Sequence, residues 1–373
     1  MSLGHIIDIL FGSSLEWRFV RAFVYISLGA VLWQLRPVPA SQRSISATRN
    51  AVVRGSRRGL WIGTIFATAA LVCVGAFGVG LSPARHTEKS VALTGPVHID
   101  LGPPYVGVFE PGEEGTYQPV NQFGNETGRQ PQIVLSYSAW NQPFNSQFAN
   151  TIRNANGIPF LEVLPKGIPM SSIADGRWDA YIRGFAKQVR DFGSQVVIGF
   201  APEMNGNWYS WGNGNTPTSD YIAAWRHVVD TFRAAGATNV TWLWVINDVV
   251  PGESQVKLWW PGANYVTWVG IDGYYYEPTD TFDSVFGLAL SEVRSLTNKP
   301  VLISETAVGP GPQAASQIKG IFKGVTSNHL MGMVWFDESQ SGGQYMRNWR
   351  IEGDTARIDA FRDGIASLTR NSP

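Results

Sequence analysis

The feature that most constrains the fold of this chain is a regular alternation of short apolar runs with amphipathic stretches. Eight apolar runs of five to seven residues lie at 105–109, 133–138, 158–164, 196–201, 240–245, 266–272, 300–304 and 331–336. Helical patterns occupy residues 144–156, 171–192, 219–235, 282–297, 312–328 and 354–370. Alternating strands and helices predict a parallel sheet, and eight strands predict its closure into a (β/α)8 TIM barrel over residues 105–373. A doubly wound open sheet is the competitor, but no GxGxxG turn of the nucleotide-binding kind follows an early strand.

The stretch at 219–235 shows how one helix is predicted from local chemistry. Ser219 can cap its N-terminus, Asp220 suits the positive end of the helix dipole, and Gly236 ends the helix. Apolar residues recur three and four positions apart, namely Tyr221, Ala224, Trp225, Val228, Val229 and Phe232. They form one face, which predicts packing against the barrel.

A long uncharged segment precedes the barrel. Residues 59–80 carry no charged side chain over 22 positions, enough for a helix to cross a hydrocarbon core of about 30 Å. The alternatives are a buried core helix and a cleaved signal peptide. A second apolar stretch at 22–35 completes a helical hairpin, although its 14 residues also suit an interfacial or partner-packed helix.

The charges around these segments predict their orientation. The loop at 36–58 holds six Arg and no acidic residue, so the positive-inside rule places it in the cytoplasm and the barrel outside, at the cell membrane. We therefore predict a membrane anchor at 1–81, through one helix or a hairpin, followed by a linker at 82–104. Residues 1–90 carry ten Lys and Arg against three Asp and Glu, whereas the rest carry 19 against 26. A basic head on an acidic body argues against nucleic acid as a partner.

Chemistry is expected where the strands end, because a (β/α)8 barrel places its active site at their C-terminal ends. Glu203 and Glu305 follow closely on the fourth and seventh runs. Glycoside hydrolysis needs such a pair, one carboxylic acid to protonate the leaving oxygen and one carboxylate to attack the anomeric carbon. A purely structural role, in which strand-end glutamates pair with Arg or cap a loop, is the alternative. The 15 Trp and 12 Tyr favour a sugar site, since aromatic rings serve as platforms for sugars, although any single Trp can simply pack.

Several segments resemble glycoside hydrolase family 26. Residues 201–212, APEMNGNWYSWG, resemble that family's acid/base motif, whose usual form is His-Glu-Met-Asn-Gly followed by Trp-Tyr-x-Trp-Gly. Residues 259–264 (WWPGAN) and 266–274 (VTWVGIDGY) resemble its sixth-strand block, and residues 301–306 (VLISET) resemble its nucleophile strand. Residues 334–337 and 348–351 resemble its closing strand and last loop. The resemblance covers about 105–370 and implies the same barrel.

The resemblance also implies roles for individual residues. It makes Glu203 the general acid/base, Glu305 the nucleophile and Tyr274 the tyrosine that hydrogen-bonds the nucleophile. Sugar-contacting aromatic residues are implied at Trp208, Trp211 and Trp335. Position 202 departs from the family pattern, because Pro202 stands where His is usual and cannot donate a hydrogen bond, which puts mannan specificity in doubt.

The chemistry of the residues agrees with these roles. A Trp-rich, apolar setting would raise the pKa of Glu203, and the hydroxyl of Tyr274 would keep Glu305 ionised. The amides of Asn205 and Asn247 can read sugar hydroxyls, although Asn205 also suits a turn.

Other strand-end residues are assigned from position alone. Trp140 is a further substrate-binding candidate, and Glu110 and Asp337 either bond sugar hydroxyls or are solvated loop charges. Asp272 suits a structural role in a tight bend, and His227 a packing role on a helix. Asp248 also follows a strand. No His/Asp/Glu cluster at metal spacing is visible, and the single cysteine, Cys73, offers no disulfide or thiolate site, so we predict no metal and no cofactor.

The sequence as a whole predicts a membrane-anchored retaining endo-β-glycosidase that hydrolyses a β-linked polysaccharide, mannan or β-glucan, by double displacement. The alternative from another class is a non-catalytic polysaccharide-handling subunit of a membrane synthase or exporter. Transglycosylation would use the same residues.

Overall fold

The computed structural model describes residues 102–112, 114–249, 256–340 and 347–370. Its strands are β1 Tyr105–Phe109, β2 Ile133–Ala139, β3 Ile158–Leu164, β4 Val196–Phe200, β5 Val240–Asn247, β6 Trp268–Asp272, β7 Val301–Thr306 and β8 Gly332–Phe336. They pair in parallel in chain order, and β8 pairs with β1 to close the barrel. The predicted (β/α)8 barrel is therefore confirmed.

Helices follow the strands, as the alternation predicts. They are α1 Gln118–Thr127, α2 Ser146–Asn154, α3 Met170–Ala174, α4 Asp179–Phe192, α5 Thr218–Ala234, α6 Leu288–Leu296, α7 Ala314–Ser327 and α8 Thr355–Arg370. The predicted anchor at 1–81 and most of the predicted linker lie outside the described residues. Within the described ranges, no helix combines the length and apolar character that a membrane crossing requires.

Three helical predictions differ from the structure. The single helix predicted at 171–192 is two helices, α3 and α4, because Gly176 between them takes a left-handed conformation with φ +78°. The stretch predicted at 282–297 opens with one π-helical turn, Asp283–Gly287, before α6 begins. Helix α1 has no counterpart in the prediction, since its sequence QPVNQFGNET is largely polar.

Helix α5 shows where the local reasoning is right and where it is wrong. Ser219 is not the N-cap, because the helix begins at Thr218 directly after Pro217. At the other end Gly236 is left-handed with φ +77°, and its N–H donates to the carbonyl of Arg233. All six residues of the predicted apolar face are buried.

Two glycines shape the inside of the barrel below the strand ends. A Cβ on Gly199 of β4 would lie 3.5 Å from Cγ of Glu162, and a Cβ on Gly270 of β6 would lie 2.5 Å from Oγ of Ser304. A side chain at position 270 would therefore collide with the hydroxyl of Ser304, and one at position 199 would fill the space directly beside Glu162. The glycines leave room for acidic and hydroxyl groups inside an otherwise apolar barrel.

Candidate active site

Glu203 is presented by a strained turn after β4. Ala201 and Glu203 both have left-handed backbones, with φ +48° and +54°, a conformation that costs a residue other than glycine about 1–3 kcal/mol and occurs often at functional sites. The N–H of Glu203 donates to the carbonyl of Val245 at 3.0 Å, which fixes the turn against β5. This strained backbone directs the carboxylate of Glu203 toward the mouth of the barrel.

Two donors hold the Glu203 carboxylate. Nε1 of Trp208 lies 2.9 Å from Oε2, and Nδ2 of Asn247 lies 2.5 Å from Oε1. Trp208 comes from the loop after β4 and Asn247 from the end of β5. Each oxygen therefore has one fixed partner, and the plane of the carboxylate is set by the neighbouring loop and strand.

Glu305 lies inside β7 and is buried. The hydroxyl of Tyr274, just after β6, donates to Oε2 at 2.5 Å, and the hydroxyl of Tyr137, in β2, donates to Oε1. The predicted contact of Tyr274 with Glu305 is present, and a second tyrosine bonds the other oxygen. Phenol donors favour the ionised form of a carboxylate, which is the form that a nucleophile requires.

Two further carboxylates lie beside Glu305 inside the barrel. One oxygen each of Glu162, Asp272 and Glu305 lies within 4.8 Å of the other two. Asp272 accepts a hydrogen bond from Oγ of Ser304 at 2.5 Å. The described ion pairs include none of these three groups and not Glu203. Like charges so close in a buried site cannot all ionise.

Burial is the largest influence on the pKa of each of these groups. Desolvation, followed by the charges of Glu305 and the other acids, raises the pKa of Glu162 and of Asp272 well above the ordinary range, which favours their protonated forms. Desolvation also raises the pKa of Glu203, against the bonds from Trp208 and Asn247. The pKa of Glu305 is raised by desolvation and by the charge of Glu203, and its two tyrosines oppose this. Burial therefore raises the pKa of both glutamates, while two hydroxyl donors favour the carboxylate form of Glu305.

The predicted sugar-contacting tryptophans divide sharply. Trp208 is 54% exposed and offers an open face beside Glu203, whereas Trp211 and Trp335 are fully buried. Trp211 stacks on Tyr209 with ring centroids 4.3 Å apart, and its Nε1 donates to the carbonyl of Pro202 at 2.7 Å. Trp335 meets Phe361 of α8 edge-on at 5.4 Å. The prediction of sugar contact is wrong for Trp211 and Trp335, because neither ring reaches solvent.

Asn205 and Asn247 form hydrogen bonds that hold the end of β5 and the carboxylate of Glu203 in place. The side chain of Asn205 is buried and bonds the backbone of Asn247 in both directions at 2.9 Å, which holds the end of β5. The prediction that Asn205 reads sugar hydroxyls is therefore wrong, since its amide is used within the protein. Asn247 donates to Glu203, and its role toward a substrate stays a prediction.

Trp140 packs toward the helices. Its ring contacts Trp178, Tyr181 and Phe200, with centroids 4.8 to 5.9 Å away. Its Nε1 is buried and has no hydrogen-bond partner among the described residues. Because the side chain is only partly buried, its role as a substrate-binding residue stays a prediction.

Glu110 and Asp337 also differ from the prediction, because both are fully buried and can neither bond a sugar hydroxyl nor be solvated loop charges. Burial and the adjacent Asp337 raise the pKa of Glu110 to about 10, and burial raises that of Asp337 to about 7. His227 is satisfied by Asp179, whose Oδ1 lies 2.6 Å from Nε2. The backbone of Asp248 donates to the carbonyl of Asp272 at 2.8 Å.

Sequence reasoning assigned no role to two residues of the site, Tyr137 and Glu162. Tyr137 stands near the end of the second apolar run, and its position is the only sequence signal it gives. Glu162 interrupts the apolar strand IPFLEVL. A single acidic residue within an otherwise apolar strand is rare, because parallel strands are buried on both faces. This was the sequence signal that could have indicated an acid inside the barrel.

A closed parallel barrel that carries one glutamate just after β4 and another within β7, each held by fixed donors, defines the class of barrel glycosidases with a carboxylate pair. The profile of glycosyl hydrolase family 26 matches residues 172–307, which include both glutamates. Over this segment the chain is similar to members of the family.

Relatives with several specificities match the chain. It is 31% identical to Endoglucanase H of Acetivibrio thermocellus over 278 residues, which cover 70% of this chain and 30% of that protein. It is 30% identical to the β-1,3-xylanase TXYA of Vibrio sp over 164 residues, covering 42% and 34% of the two chains. It is 34% identical to the mannan endo-1,4-β-mannosidase A and B of Caldalkalibacillus mannanilyticus over 104 residues, which cover 25% of this chain and 20% of that protein. The chain thus spans 20 to 34% of the length of these relatives.

Solved structures share the fold. The catalytic domain of an endo-β-1,4-mannanase from Bacillus sp. JAMB-750 superposes with a TM-score of 0.56 at 16% identity, covering 70% of this chain and 85% of that one. A β-mannanase from Bacteroides ovatus gives 0.55 at 16% identity, with 72% and 90% covered. At this identity the likeness shows the barrel and leaves the substrate open.

The bond from Trp208 to Glu203 gives a testable pH effect. Because an N–H bond favours the ionised carboxylate, Trp208→Phe should raise the pKa of Glu203 and move the basic limb of kcat/KM to higher pH. We expect a shift of less than about one unit, since water screens this exposed pair. The matched control is Trp178→Phe, whose Nε1 bonds Ser172 instead. A limb that stays in place or moves to lower pH would show that the bond does not act on the acid.

Proposed function

We propose that this protein is a retaining endo-β-glycosidase that hydrolyses β-glucan. The observation that carries the proposal is the carboxylate pair itself, in which Glu203 and Glu305 each have both oxygens bonded by fixed donors at the mouth of the barrel. A site built only to bind sugar has no need for two carboxylates with raised pKa values, each held by two fixed donors.

The two glutamates divide the reaction between them. The carboxylate of Glu305 attacks the anomeric carbon while Glu203 gives its proton to the leaving glycosidic oxygen, forming a glycosyl-enzyme ester. Glu203, now ionised, takes a proton from water, which attacks the same carbon and releases Glu305. Formation of the ester removes the negative charge of Glu305, and this lowers the pKa of Glu203. Glu203 can therefore act as the acid in the first step and, once ionised, as the base in the second.

Position 202 favours glucan over mannan. The family resemblance places a histidine there, but Pro202 offers no side-chain donor, and its carbonyl is already bonded by Trp211 at 2.7 Å. The match to a protein named endoglucanase runs over 278 residues, whereas the match to the mannosidase runs over 104. Both observations support a glucose-configured sugar next to the catalytic pair.

Product analysis on defined polysaccharides tests this proposal. Full-length protein would be incubated with β-1,4-, β-1,3- and mixed-linkage glucans, mannan and β-1,3-xylan, and the products followed by chromatography and proton NMR. We expect internal cleavage of a glucan with the β-anomer formed first. Cleavage of mannan alone would overturn the glucan assignment, and an initial α-anomer would overturn retention. Tight binding of a glycan without cleavage would favour the accessory subunit of a polysaccharide synthase or exporter.

We also propose that the barrel is anchored in the cell membrane and lies outside the cytoplasm. The uncharged run at 59–80 and the six Arg of the loop at 36–58 support this arrangement. Protease added to intact spheroplasts should then digest the barrel while a cytoplasmic marker survives. Protection of both proteins in intact spheroplasts, with digestion of both after lysis, would place the barrel inside.

A further inference from the structure

A second group of acids lies at the seam where the barrel closes. Glu110 follows β1 directly, Asp337 follows β8 directly, and Glu352 precedes helix α8. Strands β1 and β8 pair up to Phe109 and Phe336, so the next residue of each strand stands side by side at the seam. One carboxylate oxygen from each of the three acids lies within 4.8 Å of the other two.

The buried oxygens of this seam cluster, Glu110, Asp337 and Glu352, are short of donors. Glu110 is fully buried, and neither of its oxygens accepts a hydrogen bond from a described residue. Oδ2 of Asp337 and Oε2 of Glu352 are also buried and also accept no hydrogen bond from a described residue. A buried carboxylate without donor or counter-charge costs several kcal/mol. Four such oxygens in one place are stabilised either by protonation of the acids or by a positively charged group bound among them.

The protein also holds one of these acids in a fixed orientation. Oδ1 of Asp337 accepts the N–H of Ile351 at 2.8 Å and Nε1 of Trp335 at 3.1 Å. Both bonds are made to the same oxygen, so Oδ2 is left without a donor. Outer hydrogen bonds that fix a carboxylate and leave its second oxygen available are typical of metal ligands.

The charges near the cluster do not balance. Arg350 is the cation that the described ion pairs place there, with Nη2 3.8 Å from Oε2 of Glu110 and Nε 3.6 Å from Oε2 of Glu352. Both distances exceed hydrogen-bond length, and the Arg350 side chain is 42% exposed. Cation binding requires the three carboxylates to be ionised. With one guanidinium beside them, the ionised groups would carry two net negative charges, which one divalent cation would neutralise.

We propose that Glu110, Asp337 and Glu352 bind a divalent cation, with Ca²⁺ the best fit. All available ligands are carboxylate oxygens, which hard cations prefer, and Ca²⁺ binds oxygen at about 2.3–2.6 Å. Two oxygens on opposite sides of a Ca²⁺ ion are then at most about 4.6–5.2 Å apart, and oxygens on the same side are closer. The three carboxylate oxygens lie within 4.8 Å of one another, so they can bind one ion together. The absence of a metal motif in the sequence is no obstacle, since the three ligands lie far apart along the chain.

Such a cation would connect the last loop to the catalytic pair. Glu352 is joined through the chain to Trp349, whose ring packs on Tyr274 at 5.2 Å and on Tyr276 at 5.5 Å. Tyr274 in turn donates to Glu305. The cation would therefore hold the segment that braces a tyrosine of the nucleophile, and its removal should loosen that contact as well as lower stability.

Terbium luminescence and thermal melting test the proposal on full-length protein stripped with EDTA and desalted. Tb³⁺ resembles Ca²⁺ in size and emits when a nearby tryptophan is excited, and Trp335 bonds a proposed ligand directly. We expect one saturable Tb³⁺ site, displaced by Ca²⁺, and a melting temperature that rises with Ca²⁺. Glu352→Gln, at a half-buried position, should weaken binding at least about 10-fold. Glu110→Gln should do the same.

Two matched variants show where any cation binds. Glu277→Gln removes the same charge from an exposed position and should leave Tb³⁺ affinity unchanged. Glu162→Gln removes an acid from the other cluster, beside Glu305, and should also leave it unchanged. The proposal is overturned if Ca²⁺, Mg²⁺ and Mn²⁺ neither displace Tb³⁺ nor raise the melting temperature. It is also overturned if binding survives in both Glu352→Gln and Glu110→Gln, or is lost in Glu162→Gln.

Discussion

Replacing Glu305 by alanine is expected to lower the turnover of every β-glycoside by about 10⁶-fold, the scale of loss seen when a covalent nucleophile is removed. Among the described acids, Glu305 is the one whose two oxygens are both bonded by tyrosine hydroxyls, so we expect no other carboxylate to form the glycosyl-enzyme ester in its place. Turnover would be measured with both a β-glucan and an activated aryl β-glucoside. A good leaving group should not help, since the missing step is attack on carbon.

The same variant should keep its fold. Glu305 is one of several carboxylates packed together, so its removal relieves repulsion, and we expect a melting temperature equal to or above that of the parent. Glu277→Ala, at an exposed site, is the control for the loss of one carboxylate. Residual activity above about one per cent in a folded Glu305→Ala protein is incompatible with a nucleophilic role, because covalent catalysis would then contribute too little.

Glu203→Ala should fail in a different way. Polysaccharide cleavage should fall by about 10²–10⁴-fold, the usual contribution of general acid–base catalysis. An aryl glucoside with a good leaving group needs little protonation and should still glycosylate Glu305. The ester should then accumulate, because its hydrolysis lacks a base, and it would be detected by mass spectrometry of the intact protein after rapid quenching.

Azide separates the two glutamates by stereochemistry. In Glu203→Ala, azide should attack the accumulated ester on the face opposite Glu305 and restore turnover as the β-glycosyl azide. Glu305→Ala has no ester to attack, so any azide adduct it forms from a β-glycoside must be the α-anomer. An α-azide from Glu203→Ala would exchange the roles assigned to the two residues.

The barrel was predictable because its strands are buried on both faces and stand out as apolar runs. Apolar runs also drew attention to Glu203 and Glu305, which follow two of them closely. Glu110 and Asp337 do so as well, and it was the family motifs that singled out Glu203 and Glu305. In β5 and β7 the strands run further than predicted, to Asn247 and Thr306. Asn247 of β5 and Glu305 of β7 both pair with Asp272 of β6. These polar residues are therefore part of the strands and do not lie in the loops that follow.

The orientation of the side chains was less predictable. Trp208 and Trp211 stand in one motif, yet one is exposed and the other is fully buried. Their difference arises from the loop after β4, in which Trp211 turns back to bond Pro202. A motif gives the spacing of residues along the chain, and this turn depends on strand contacts made more than 40 residues away.

Long-range proximity was the other limit. Glu110, Asp337 and Glu352 are drawn together only by closure of β8 onto β1, so no local spacing marks them as a group. Glu162 has the opposite difficulty, because it lies within an apolar strand whose pattern does not tell which residues point inward. The acids outside the two motifs therefore emerged only with the folded barrel.

The mouth of the barrel, with four carboxylates and no basic side chain paired to them among the described residues, also acts as a filter on polymers. An uncharged glucan chain meets no field that opposes its entry, whereas a uronic-acid polymer would bring its own negative charges toward the ionised carboxylate of Glu305. Juxtaposed like charges cost several kcal/mol where water is excluded. We expect acidic polysaccharides of a bacterial envelope to be left uncut even where their linkage matches, so that the same cleft that cleaves neutral chains would spare charged ones.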